Sequence, residues 1–204
     1  MHKDGYLRVK GGANNHMRVT TQHQLETAVQ QISEHCDERP GWARPELIVV
    51  HCVSLPEGEF GTGAAERLFT GCLDIDEHPS FSDLDGVHVA PHLLIERDGS
   101  VHQFVTFDKR AWHAGVSSWQ GRELCNDYSI GIELEGSVHV AYTEAQYDCL
   151  VQVLRALFEK YDGLSPAGVV GHAEVAPGRK DDPGPHFAWR DLFVRIHPPY
   201  IANR

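Results

Sequence analysis

Apolar and polar positions alternate along this chain with several distinct periods, and each period predicts an element. ELIVVHCV (46–53), which follows a loop around Pro40 and Pro45, is nearly continuous in apolar, mostly β-branched side chains and reads as a central strand. SIGIELEG (129–136) alternates apolar residues with Gly and Glu, a strand with Glu133 and Glu135 on one face. HLLIERDGSVHQFV (92–105) is two strand-like runs around Asp98–Gly99, a hairpin signal. The clearest helical period lies in 143–161. There Tyr147, Leu150, Val151, Leu154, Leu157 and Phe158 share a face behind a Thr143/Gln146 capping box. Residues 21–33 place Leu25, Ala28, Val29 and Ile32 at helical spacing behind Thr20 or Thr21, and predict a second helix. GTGAAERLFTG (61–71) predicts a helix between glycines, and GVVGH (168–172) a short strand or turn. Strands interleaved with helices, plus one hairpin, indicate a single α/β domain with a central mixed β-sheet flanked by helices. The terminal HPPYIANR reads as a loose surface segment.

Composition narrows the function classes. A chain of 204 residues buries a substantial single core. With 18 basic against 29 acidic residues its net charge is -11, which argues against a nucleic-acid or anionic-membrane binder. Five dispersed cysteines with no CxxC spacing fit a reducing compartment. The N-terminus has no apolar leader core, and no stretch approaches the ~18–20 apolar residues of a membrane span. A cytoplasmic protein is expected.

Fourteen histidines are too many for any one to be informative alone; a single histidine is more often a surface or satisfied core residue. Position selects among them. His51 and His172 each end an apolar strand-like run, and open α/β sheets bind ligands beyond the carboxyl ends of their strands. Asp182, held extended before Pro183, offers a carboxylate, with Lys180 projecting to the same side. Two histidines and one carboxylate suit a catalytic zinc, which keeps a coordination position open, better than a structural one. Bland readings stand beside these. Glu133 and Glu135 fit solvent-facing strand positions, Lys180 fits a surface partner of Asp181 and Asp182, and Trp112 and Trp119 fit packing. Cys52 follows His51, but alternation turns its side chain to the other face of the strand, against a nucleophile role.

The blocks IVVHCVSLPEGEFGTG, FDKRAWHAGVSSWQGRELCNDYSIGIELEG, YTEAQY and GHAEVAPGRKDDPGPHFAW, in this order, resemble the AmpD family. These are bacterial N-acetylmuramoyl-L-alanine amidases acting on 1,6-anhydromuropeptides in cell-wall recycling. Their wider group includes phage-lysozyme-type amidases and peptidoglycan recognition proteins, with a mixed sheet flanked by helices. The resemblance runs from about Cys36 to Phe193. It implies an N-terminal extension (1–35), an amidase domain (36–193) and a tail (194–204). It further implies Zn2+ on His51, His172 and Asp182, Glu133 as catalytic carboxylate and Lys180 as catalytic cation. Trp112, His113, Trp119, Arg122 and Asn126 become substrate-contact candidates, with a muropeptide as the partner and no obligate protein partner. The chain departs from the family at Ser80, where an HP-Tyr-F motif is expected, and at His88 and Leu124, where arginines are expected. Two competing functions remain at this point: a noncatalytic peptidoglycan-binding module, and a zinc peptidase cutting within the stem peptide.

Overall fold

The computed structural model describes residues 16–197. In chain order its strands are β1 (Val29–Gln30), β2 (Cys36–Glu38), β3 (Leu47–Val53), β4 (Leu93–Ile95), β5 (Val101–Gln103), β6 (Lys109–Ala111), β7 (Ser118–Trp119), β8 (Arg122–Glu123), β9 (Ser129–Glu135) and β10 (Val169–Gly171). The α-helices are α1 (Ala64–Phe69), α2 (Glu144–Lys160), α3 (His172–Val175) and α4 (Trp189–Ile196).

Six strands form the main sheet in the order β1-β5-β4-β9-β3-β10. The β4–β5 pair is the expected antiparallel hairpin, and the other four pairings are parallel, so the sheet is mixed. Strand alternation divides β3 and β9 cleanly. Ile48, Val50, Ile130, Ile132 and Leu134 point into the core under α2, where Leu150, Leu154 and Leu157 meet them. The odd-numbered positions face the opposite side. There Leu47 and Val49 pack with Ala114, Tyr128 and Val175, and the same face carries His51, Ser129, Gly131 and Glu133. Helix α2 starts where its pattern predicts, with both halves of the Thr143/Gln146 capping box formed.

The helix expected at 21–33 does not form. Leu25 is buried at 1 % exposure, but Val29 and Ile32 stand 55 % and 89 % exposed, so the helical spacing does not mark a buried face. His23 adopts a positive φ of 59°, and the chain then runs extended along β5 as β1. Its backbone gains a ladder there: Gln31 N–H donates to the Gln103 carbonyl at 2.8 Å. The Leu25 N–H donates to Gln103 Oε1 at 2.7 Å. Val29–Gln30 therefore adds an edge strand to the main sheet where a helix was expected. At the other end α4 runs on to Ile196, itself a core residue. The HPPYIANR segment lies outside the described residues from position 198 onward.

Candidate metal centre and cleft

Near the carboxyl ends of β3 and β10, three ligand atoms converge. His51 Nδ1 lies 2.9 Å from His172 Nδ1, and each lies 3.1 Å from Asp182 Oδ2. Local sequence explains each placement. His51 is the fifth residue of the buried β3, and His172 opens α3 immediately after β10, at 1 % and 3 % exposure. Asp182 is held by its own backbone, whose carbonyl accepts from Ala173 N–H at 2.9 Å, while the Tyr142 hydroxyl donates to the Pro183 carbonyl at 2.7 Å.

The chemistry of this donor set calls for a cation. His172 Nε2 donates to the Ala114 carbonyl at 3.1 Å, which leaves its Nδ1 as a lone pair. Asp182 is held below the usual carboxylate range: burial pushes it upward, but the contacts with His172 and His51 outweigh that. Burial pushes His51 down to about 4, so it is neutral near pH 7 and brings at most one proton into the triangle. Three potential ligand atoms, two from imidazoles and one from a carboxylate, thus point at one position, a set that fits a divalent cation. Metal–ligand bonds of about 2.0–2.1 Å in a tetrahedral site put ligand atoms about 3.3–3.4 Å apart, close to the separations seen here.

Glu133 lies directly beside His51, since the two are register partners across β9 and β3. Its Oε2 is buried and has no hydrogen-bond partner among the described residues. Burial, reinforced by the nearby charge of Asp182 and opposed by Lys180, holds its carboxyl well above the ordinary value. Glu135, two residues on, is engaged differently, since its carboxylate accepts from the backbone N–H groups of Gly61 and Arg97. Lys180 is exposed on the rim and makes no ion pair with Asp181 or Asp182, whose partners in the latter case are the two histidines. His51, Glu133, His172, Lys180 and Asp182 all line one cleft of about 610 Å³.

The remaining candidates fall elsewhere, except one. His113 reaches the cleft, but through His51: its Nδ1 is 2.9 Å from His51 Nε2. Trp112 stacks on His35 with ring centroids 6.4 Å apart, and Trp119 packs against the cluster of Leu47, Val49 and Tyr128. Arg122 pairs with Glu46 and lies over the Tyr128 ring at 3.9 Å. The side chain of Asn126 accepts from the backbone N–H groups of His113 and Ala114. None of these four lines the cleft. Ser80 lies outside it too, with Oγ on His78 Nδ1 at 2.8 Å, and His88 meets His35 at 3.2 Å. Leu124 is 60 % exposed in a left-handed turn. Cys52 packs against the core under α2 while also touching the cleft wall, and burial pushes its thiol up to about 12, against a nucleophilic role near neutral pH.

Residues 41–185 match the family described as N-acetylmuramoyl-L-alanine amidase. The chain belongs to that family. Members of this amidase family are metal-dependent, in keeping with the three converging ligand atoms. Among curated relatives, the chain is 54% identical over 164 residues to the 1,6-anhydro-N-acetylmuramyl-L-alanine amidase AmpD of Escherichia coli, covering 80% of this chain and 89% of that one. It is 45% identical over 166 residues to AmpD of Haemophilus influenzae, covering 81% and 90%. Among solved structures, a crystal structure of a Se-Met AmpD derivative superposes with a TM-score of 0.84 at 49% identity, covering 86% of this chain and 98% of that one. AMPDH3 from Pseudomonas aeruginosa, solved in complex with anhydromuramic pentapeptide, gives a TM-score of 0.56 at 27% identity, covering 74% and 59%.

A second group, Glu66, Glu96 and His102, also brings three such atoms together, and no sequence pattern singles it out. It is closed on itself. Gln31 Nε2 donates to His102 Nδ1 at 2.9 Å, so the His102 proton sits on Nε2, facing Glu96 at 3.4 Å, with no lone pair left for a metal.

Proposed function

We propose that this chain is a zinc-dependent amidase that hydrolyses the bond between N-acetylmuramic acid, in its 1,6-anhydro form, and the L-alanine of muropeptides in peptidoglycan recycling. The observation that carries this reading is the Glu133 carboxyl, whose buried Oε2 has no partner among the described residues, set beside three converging metal-ligand atoms in one cleft. His51 Nδ1, His172 Nδ1 and Asp182 Oδ2 would hold the ion at the wall of the cleft. Zinc in that place supplies Lewis acidity, lowering the pKa of water towards neutrality and polarising an amide carbonyl.

The chain's own groups account for the proton and charge movements. Glu133, as carboxylate, takes a proton from the attacking water and passes it to the alanine nitrogen as the carbon–nitrogen bond breaks. Its raised pKa suits it to hold that proton between the two transfers. Lys180, on the rim without a carboxylate partner among the described residues, is placed to meet the negative charge that develops on the carbonyl oxygen. The products are the anhydro-sugar with its free lactyl carboxylate and a stem peptide with a free amino terminus. A cytoplasmic setting agrees with five free cysteines, and no helix of the described residues is long and apolar enough to cross a membrane.

Mass spectrometry of products from a defined anhydromuropeptide tests the reading. Sugar plus intact stem peptide, formed only without chelator, is expected. Shortened peptides still bearing the sugar would identify a peptidase, and unchanged ligand a binding module.

A further inference from the structure

Two consecutive residues supply the outer partner of both metal-site histidines. His113 Nδ1 meets His51 Nε2 at 2.9 Å, and the Ala114 carbonyl accepts from His172 Nε2 at 3.1 Å. The segment that carries them is pinned by one side chain: Asn126 Oδ1 accepts from Ala114 N–H at 2.8 Å and His113 N–H at 3.3 Å. Asn126 is fixed in turn by the half-buried Arg39, whose guanidinium donates to the carbonyls of Asn126, Asp127 and Ser129 at 3.1, 2.9 and 2.8 Å. The far edge of the His113 ring ends on Ser129 Oγ at 3.0 Å. Its face lies against Gly131, where a Cβ would come within 2.6 Å of Nδ1. The ring is therefore held at one edge and one face by β9, and its backbone by the turn that enters β9.

We infer that His113 is a positioning residue for the metal and that Asn126 is its clamp. Their joint effect is to hold His51 and His172 in the one arrangement that presents both Nδ1 lone pairs to an ion. A histidine that binds metal through Nδ1 carries its proton on Nε2, and that proton needs an acceptor in a dry site. Ala114 provides a carbonyl for His172, which can only accept. For His51 the acceptor is a second imidazole, and only one sense works: His51 Nε2–H donating to His113 Nδ1, and His113 Nε2–H donating to Ser129 Oγ. The opposite sense would put a proton on His51 Nδ1, inside the metal triangle. One short loop thus sets both ligands at once, and His113 and Asn126 act on the metal rather than on the substrate.

This inference rests on the proposed ligand set, and the experiment separates the two. Zinc affinity is measured by competition with a chromophoric chelator for the wild type, His172→Ala, His113→Leu, His113→Asn and Asn126→Ala. Weakened binding in His172→Ala checks the ligand set itself. The brace predicts that His113→Leu binds zinc ~10–100-fold more weakly, the usual cost of losing an outer-shell partner. His113→Asn, whose amide oxygen falls near the Nδ1 position, is expected to recover most of that loss, and Asn126→Ala to weaken binding as well. In the zinc-loaded wild type, nitrogen-15 NMR is expected to show coupling across the hydrogen bond between His51 Nε2 and His113 Nδ1, a readout that needs no variant to fold. The inference is overturned if that coupling is absent, if His113→Leu binds as the wild type does, or if His113→Asn is as weak as His113→Leu.

Discussion

At the scale of single residues, the cleft separates two glutamates that the strand pattern alone leaves equivalent. Glu133 and Glu135 share a face of β9, yet Glu135 is engaged by the backbone of Gly61 and Arg97 while Glu133 Oε2 has no partner among the described residues. Glu133→Gln should therefore lower single-turnover amide hydrolysis by ~100–10,000-fold, the usual worth of a general acid–base group. Metal content, read by elemental analysis of the same sample, should stay at the wild-type value, because Glu133 is not among the converging ligands. Near-normal turnover in that variant would remove its proposed role. Lys180→Met removes one preorganised positive charge from the rim and should cost ~100–1,000-fold in the same assay, again with metal retained. A rate loss accompanied by metal loss would instead make Lys180 a support for Asp182.

At the scale of elements, what was legible in the sequence is what the hydrophobic pattern fully determines. β3 is buried along most of its length, so its apolar run could be read directly, and α2 announces itself by its capping box and its apolar face. The 21–33 segment misled because Leu25, Ala28, Val29 and Ile32 fall at helical spacing by coincidence. Hydrogen bonds to Gln103 and pairing with β5, invisible in local sequence, settle its conformation. The same limit applies to the site. Histidines at strand ends could be found, whereas Ala114 acts through a carbonyl, Ser129 through a hydroxyl and Gly131 through an absent side chain. No local pattern marks such roles. Two substitutions test the elements separately. Gly131→Ala should force the His113 ring aside and weaken zinc binding, measured by chelator competition, with the sheet intact by circular dichroism. Thr143→Ala should remove the α2 cap and lower unfolding free energy by ~1 kcal/mol in a denaturant titration, leaving zinc affinity unchanged.

At the scale of the whole molecule, the metal would join three separate stretches of chain: the end of β3, the start of α3 and the loop before Pro183. An ion that binds only the folded form stabilises it by an amount set by its concentration over Kd, about 2.7 kcal/mol at one hundred times Kd. Chelation should accordingly lower the thermal midpoint of the wild type, with little effect on His172→Ala. In the proposed function this one site, at one ion per chain, drives amide hydrolysis. That role is tested most directly by stripping the protein with a chelator and titrating zinc back while following release of free stem peptide from a defined anhydromuropeptide. Stripped protein is expected to release no peptide, to recover fully at one equivalent, and to show no recovery at that level in His172→Ala. Undiminished peptide release from protein shown to be free of metal, or recovery in His172→Ala equal to the wild type, would contradict it.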